Sequence, residues 1–223
     1  MCGRFTITLD PGEIQELLNL GPFVHIHQPR YNVAPSQPIP IVKDLETKSI
    51  ELYKWGLVPF WAKDPNVGYK MINARSETAH KKPSFRAAFK HRRCLIIADG
   101  FFEWHADTKG GPKTPYLFKL KNDYPFTFAG LYEHWPIPLG GELHTCTILT
   151  CQPNELVSDY HNRMPVMLGE DTRWSWLDPQ AKVADLLDLL GPYPADEMTC
   201  FAVSRAVNSP KNDRPEIIEP VAE

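Results

Sequence analysis

Proline restricts this chain more than any other residue. It occupies 22 of 223 positions, about twice the usual ~5%. Each proline fixes its own φ, removes a backbone donor and biases the residue before it away from helix. Four of them fall in residues 28–40, which predicts an extended, irregular segment there. Glycine and proline together stay below the ~25–30% that marks disorder. The pattern therefore describes a folded chain with many rigid loops.

Between the prolines the periodicity is legible. Asp10-Pro11-Gly12-Glu13 reads as a helix start, with Asp as N-cap, Pro at the first helical position and Glu three residues after the cap. That helix runs through Ile14, Leu17 and Leu18 and stops near Gly21. Residues 84–91 and 154–160 suggest short helices, and 185–190 closes an amphipathic one at Gly191. Strand patterns fill the middle at 39–43, 49–54, 94–98, 115–120, 126–131 and 144–151, with a last one at 198–203. Strands in the middle and helices toward the ends predict an α+β fold. We expect a single domain over residues 1–223, with a curled, mostly antiparallel β core flanked by short helices.

The net charge of −3 hides a strong asymmetry. Residues 75–93 carry seven Lys and Arg (Arg75, Lys81, Lys82, Arg86, Lys90, Arg92, Arg93) against Glu77 alone. Residues 169–198 carry seven acids against Arg173 and Lys182. A neutral total is thus compatible with one basic face suited to phosphates. The five cysteines are an odd number, and no signal peptide precedes them. No apolar run approaches the ~18 residues of a membrane span. Reduced cysteines, a cytoplasmic location (nuclear in a cell with a nucleus) and no membrane partner are expected. Zinc spacings such as Cys-x2-Cys and His-Glu-x2-His are missing, as are phosphate-binding glycine loops. Neither a metal nor a cofactor is expected.

Cys2 carries the most distinctive chemistry. Once Met1 is removed, it presents a free α-amine beside a thiol, a pair no internal cysteine offers. A 1,2-aminothiol condenses with an aldehyde to an imine, and the thiol then closes a five-membered thiazolidine. Free α-amines titrate near ~7.7–8.0 and thiols near ~8.5, so both nucleophiles are within reach at neutral pH. Elsewhere, Glu103 lies in the aromatic run Phe101-Phe102-Glu103-Trp104 after a buried strand, where burial would raise its pKa toward an acid/base role. Asn73 and Arg75 share a face if extended, and His161 and Arg163 precede the stiffening Pro165.

Taken in order, seven blocks resemble the SRAP family, the SOS-response-associated peptidase-like proteins. They are Cys2-Gly3-Arg4-Phe5, Arg30-Tyr31-Asn32-Val33-Ala34-Pro35, Trp55-Gly56-Leu57-Val58-Pro59-Phe60-Trp61, Asn73-Ala74-Arg75-Ser76-Glu77-Thr78, Asp99-Gly100-Phe101-Phe102-Glu103-Trp104, His161-Asn162-Arg163-Met164-Pro165 and Ser204-Arg205-Ala206-Val207. The resemblance runs from Cys2 to about Asn208. It departs at Asn162, where many relatives have Asp, and at Ala62, where some carry a second aromatic.

The resemblance implies an abasic-site processing protein acting as a monomer on single-stranded DNA. An abasic sugar opens to an aldehyde, which Cys2 would trap as a thiazolidine crosslink. Asn73 would position the amine and the sugar, Glu103 would shuttle protons, and His161 would act as a second acid/base. Arg4, Arg75 and Arg163 would clamp phosphates, and Trp61 would stack on a base. Two other classes remain open on the residues alone. One is an N-terminal-nucleophile cysteine peptidase that removes Met1 itself, and the other is a non-catalytic single-strand binder.

Overall fold

The structure is a computed structural model and describes residues 2–25, 28–106, 108 and 110–221. Met1, whose removal the Cys2 chemistry requires, lies outside the described residues. Thirteen strands carry the fold: β1 (Phe5–Ile7), β2 (Arg30–Val33), β3 (Pro38–Val42), β4 (Ile50–Trp55), β5 (Asn73–Arg75), β6 (Arg93–Ala98), β7 (Gly100–His105), β8 (Thr114–Leu120), β9 (Phe126–Pro136), β10 (Glu142–Cys151), β11 (Met164–Pro165), β12 (Met167–Leu168) and β13 (Met198–Ala202). Six short α-helices flank them: α1 (Pro11–Leu18), α2 (Ser76–Ala79), α3 (Arg86–His91), α4 (Glu155–Ser158), α5 (Glu170–Leu177) and α6 (Val183–Asp188).

The strands form two systems. In the first, β10, β4, β3, β6 and β9 follow one another, and pairing of β9 with β10 closes the ring into a barrel. Only the β4–β10 step of that ring is parallel. The second is an antiparallel sheet in the order β13-β8-β7-β1-β2. The α+β expectation with a curled, mostly antiparallel core is met. Closure removes the exposed edges that an open sheet must otherwise protect.

An aromatic seam joins the two systems. Phe5 of β1 meets Trp55 of β4 edge-on at 5.1 Å and Phe128 of β9 at 5.9 Å. Phe101 of β7 stacks on Phe118 of β8 at 5.1 Å and touches Phe128 at 6.3 Å. All five rings are fully buried, and each contributes about 1.5–3 kcal/mol of burial. Phe5 lies three residues from Cys2, so the seam also fixes where the chain terminus lies.

Local rules hold where the sequence signals were local. The capping box at α1 is present: Asp10 accepts from the backbone N–H of Gly12 and Glu13, and Glu13 returns a bond to Asp10 N–H. The helix ends at Asn19, in a left-handed conformation, two residues before the expected Gly21. The proline-rich stretch is extended, as expected, but it pairs, supplying β2 and the start of β3. Helix α5 lies in the acidic segment and was not apparent from periodicity. It forms because Trp176 is buried against β6 and β9, donating its indole N–H to the carbonyls of Cys94 at 3.1 Å and Gly130 at 3.3 Å.

The basic run divides by role. Arg93 is buried and donates to the carbonyls of Trp176, Phe89, Lys90 and Asp178, closing the end of α5. Arg92 pairs with the buried Glu133 at 2.9 Å. Arg75, Lys81, Lys82, Arg86 and Lys90 remain exposed. Among the described residues no helix is long and apolar enough to cross a membrane.

Candidate active site

Strand pairing builds the site. β1 runs antiparallel to β7 with Phe5 opposite Phe101 and Thr6 opposite Gly100, and Phe102 N–H donates to the Arg4 carbonyl at 3.0 Å. The register therefore carries the chain upstream of Phe5 along Phe102 and toward Glu103. Gly100 permits this approach, since a Cβ there would lie 2.7 Å from Thr6 Oγ1. Asp99 locks it by accepting from Thr6 Oγ1 at 2.5 Å, Thr8 Oγ1 at 2.7 Å, Leu9 N–H at 3.3 Å and Thr8 N–H.

A second strand comes from the barrel. β10 pairs with β5 through Ile148, Leu149 and Thr150, and with β11 at Thr150 and Cys151. This end of β10 thus presents Asn73 from β5 and the 161–163 loop that leads into β11. Asn73 Nδ2 donates to the Cys2 carbonyl at 2.8 Å, while its Oδ1 is buried without a hydrogen-bond partner.

Cys2 is completely buried, with its Sγ 3.8 Å from the Arg4 carbonyl. Burial, then the negative charge of Glu103, hold its thiol protonated far above the usual range. The Glu103 carboxyl is itself buried and is pushed up by desolvation to about 7, with the positive amino terminus of the chain and Lys113 pulling the other way. His161 is shifted down by burial and by the same terminal charge, so its ring is neutral near pH 7. Its Nδ1 lies 3.0 Å from the Arg163 N–H and 3.2 Å from the Arg163 carbonyl, so it accepts from the first in one tautomer and donates to the second in the other. The Glu103 charge acts on the Cys2 thiol, which puts the two groups within electrostatic reach of each other.

The remaining sequence candidates sit in different surroundings. Trp61 is 53% exposed beside Phe60 at 52%, and Arg75 is exposed at the end of β5. Arg4 is half-buried: its Nη1 donates to Asn32 Oδ1 at 2.6 Å and to the Val207 carbonyl at 2.7 Å, and its guanidinium lies 5.8 Å from the Trp104 ring. Arg163 is buried, forking onto Glu77 at 2.5 and 3.0 Å and donating to the Thr150 carbonyl. A phosphate contact by Arg163 would require breaking that pair. Several supporting residues carried no separate signal in the sequence: Asp99, Glu77, Asn32 (which donates to the carbonyls of Val207, Ser209 and Asn212) and Lys113. Their roles depend on contacts between distant strands.

The SOS response associated peptidase (SRAP) family profile matches residues 1–210. The chain belongs to the SRAP family. This SRAP chain is 49% identical over 224 residues to the abasic site processing protein YoqW of Bacillus subtilis strain 168, covering 98% of this chain and 99% of that one. It is 33% identical to the abasic site processing protein HMCES of Gallus gallus, over 87% of this chain and 67% of that one. Among solved structures, a Bacteroides thetaiotaomicron protein superposes on the SRAP chain with a TM-score of 0.90 at 26% identity, covering 99% of this chain and 100% of that one.

Proposed function

We propose that this SRAP chain processes abasic sites in single-stranded DNA by trapping their aldehyde on Cys2. One observation carries the reading: Cys2 lies between the Asn73 amide and a buried carboxyl, Glu103, whose pKa is about 7. The names of the relatives support the substrate class.

The chemistry follows from the groups present. With Met1 removed, Glu103 takes a proton from the Cys2 ammonium, and the free amine attacks the C1′ aldehyde of the opened sugar. The hydroxyl of the carbinolamine leaves as water when Glu103 returns the proton to it, and the N–H proton of the resulting iminium passes back to Glu103, giving the imine. The thiol then adds across the C=N bond: sulfur bonds to carbon, and the thiol proton passes to nitrogen. One water is lost overall and no oxidant is needed. A carboxyl with a pKa near 7 suits both proton transfers, which are typically worth ~10²–10⁴ in rate. The unpartnered Asn73 Oδ1 is an acceptor for an amine N–H, and neutral His161, in the tautomer that carries Nε2–H, is a donor for a sugar oxygen.

Exposed Trp61 and Phe60 offer stacking surfaces, and Arg75 offers a phosphate contact. Arg4 and Arg163 hold the scaffold around Cys2 and His161. The test is a denaturing gel with single-stranded DNA carrying one abasic site. The processed protein is expected to form a covalent band that Cys2→Ala does not, and an equal band from Cys2→Ala would refute the mechanism.

A further inference from the structure

The β9–β10 hairpin holds a group of side chains that the Cys2 chemistry does not use. Its register sets His144 directly opposite His134. Glu142 lies two residues before His144 on the same strand, hence on the same face. Glu142 Oε2 is 3.4 Å from His134 Nδ1 and 3.4 Å from His144 Nε2. The three ligand atoms all fall within 4.8 Å of one another. We propose that His134, Glu142 and His144 form a binding site for a divalent transition ion of the zinc class.

The distances fit. Tetrahedral zinc, with bonds of about 2.0–2.1 Å, sets its ligand atoms roughly 3.3 Å apart. Both nitrogen–oxygen separations are already at that value, so a small rotation of the half-exposed His144 completes the three-ligand arrangement. Two histidines and one carboxylate are a common zinc set that leaves a fourth position for water.

An outer shell is also in place. The buried Tyr53 of β4 lies with its Oη 2.8 Å from His134 Nε2, and its ring stacks on His144 at 5.0 Å. When Tyr53 Oη accepts a hydrogen bond from Nε2–H, His134 Nδ1 is left with a lone pair aimed at Glu142. Ligating histidines generally have such a partner on the second nitrogen. The site is separate from Cys2: His144 and Ile148, the β10 partner of Asn73, are four residues apart, or about 13 Å at ~3.3 Å per residue.

The experiment is calorimetric titration of the full chain with Zn²⁺, with bound zinc measured after dialysis and thermal melting followed in parallel. About one equivalent is expected, matching the one such ligand set among the described residues, together with a rise in melting temperature, because an ion that binds only the folded hairpin stabilises it. His144→Ala and Glu142→Gln should lose the bound equivalent while melting as the parent does without zinc. Tyr53→Phe should bind about 10–100-fold more weakly. Cys2→Ala should bind as the parent does. No bound zinc in the parent, unchanged binding in His144→Ala and Glu142→Gln, or loss of binding in Cys2→Ala would each overturn the proposal.

Discussion

Arg163 and Glu77 are joined by a forked pair of hydrogen bonds, 2.5 and 3.0 Å long, between the 161–163 loop and helix α2, 86 residues apart. Glu77 follows the strand that carries Asn73, and Arg163 follows His161. The pair therefore sets the spacing of two catalytic candidates without touching the thiol. The guanidinium also holds the Glu77 carboxyl below its usual pKa range.

Arg163→Lys keeps the charge but cannot reproduce the fork. We expect a stability loss of about 1–3 kcal/mol, below the full cost of breaking a buried pair because Glu77 is 45% exposed. Crosslinking should slow with it. Chemical denaturation and single-turnover kinetics measure the two effects, and parental values in both would show the pair to be idle.

Salt dependence separates free cations from engaged ones. Arg75→Ala should reduce the slope of log K against log salt on intact single-stranded DNA by about 0.7. Arg93→Met, whose guanidinium is committed to four carbonyls, should lower stability and leave the slope alone. Fluorescence anisotropy from low to high salt provides the slopes, and an unchanged slope for Arg75→Ala would remove it from the DNA interface.

Glu103 has a pH signature. Its folded pKa is raised from 4.5 to about 7, so the fold favours the protonated form. Below pH 4.5 both folded and unfolded states hold the proton, and the carboxyl imposes no penalty. As pH rises through the folded pKa that advantage is lost, on the order of 3 kcal/mol in full. Glu103→Gln should therefore gain stability relative to the parent between pH 4.5 and 7.5 while crosslinking about 10²–10⁴-fold more slowly. Parallel stability curves for the two proteins would contradict the raised pKa.

Blocking the terminus tests the amine directly. An N-terminal extension that resists removal turns the Cys2 amine into an amide. Crosslinking should vanish while binding to intact single-stranded DNA persists through phosphate contacts. Cys200→Ser should crosslink like the parent. A covalent adduct from the extended protein, its mass confirmed, would favour a thiol-only mechanism of the cysteine-peptidase kind.

Trp61→Ala should weaken single-stranded DNA binding by about 1–3 kcal/mol. The ring is 53% exposed, so the melting temperature should barely move. Equal affinity in anisotropy titrations would assign the exposed ring no part in binding.

Legibility followed range. The Asp10 capping box, the buried run of β6 and the β3–β4 hairpin are written in neighbouring residues, and the sequence conveys them. Cys2, Asn73, Glu103 and His161 were identifiable as candidates because each sits in a distinctive block. The fates of Arg4, Arg93 and Arg163 were not, because a guanidinium on a phosphate and one on a buried carbonyl look alike in sequence. The His134–Glu142–His144 group was hidden for a related reason. Its spacing is set across a hairpin, so no linear zinc motif records it. β1 and α5 escaped because tertiary pairing and a buried tryptophan, rather than periodicity, hold them.

The pairing of β1 with β7 also has a consequence for biosynthesis. Cys2 is made before β7, the strand paired with β1, which ends at His105. At about 5–20 residues per second, β7 is made roughly 5–20 s later. During that interval the nascent terminus is open to an aminopeptidase. In the folded protein Cys2 has no exposed surface. Maturation at Cys2 by an enzyme acting in trans is therefore expected to be faster before β7 has paired with β1 than after.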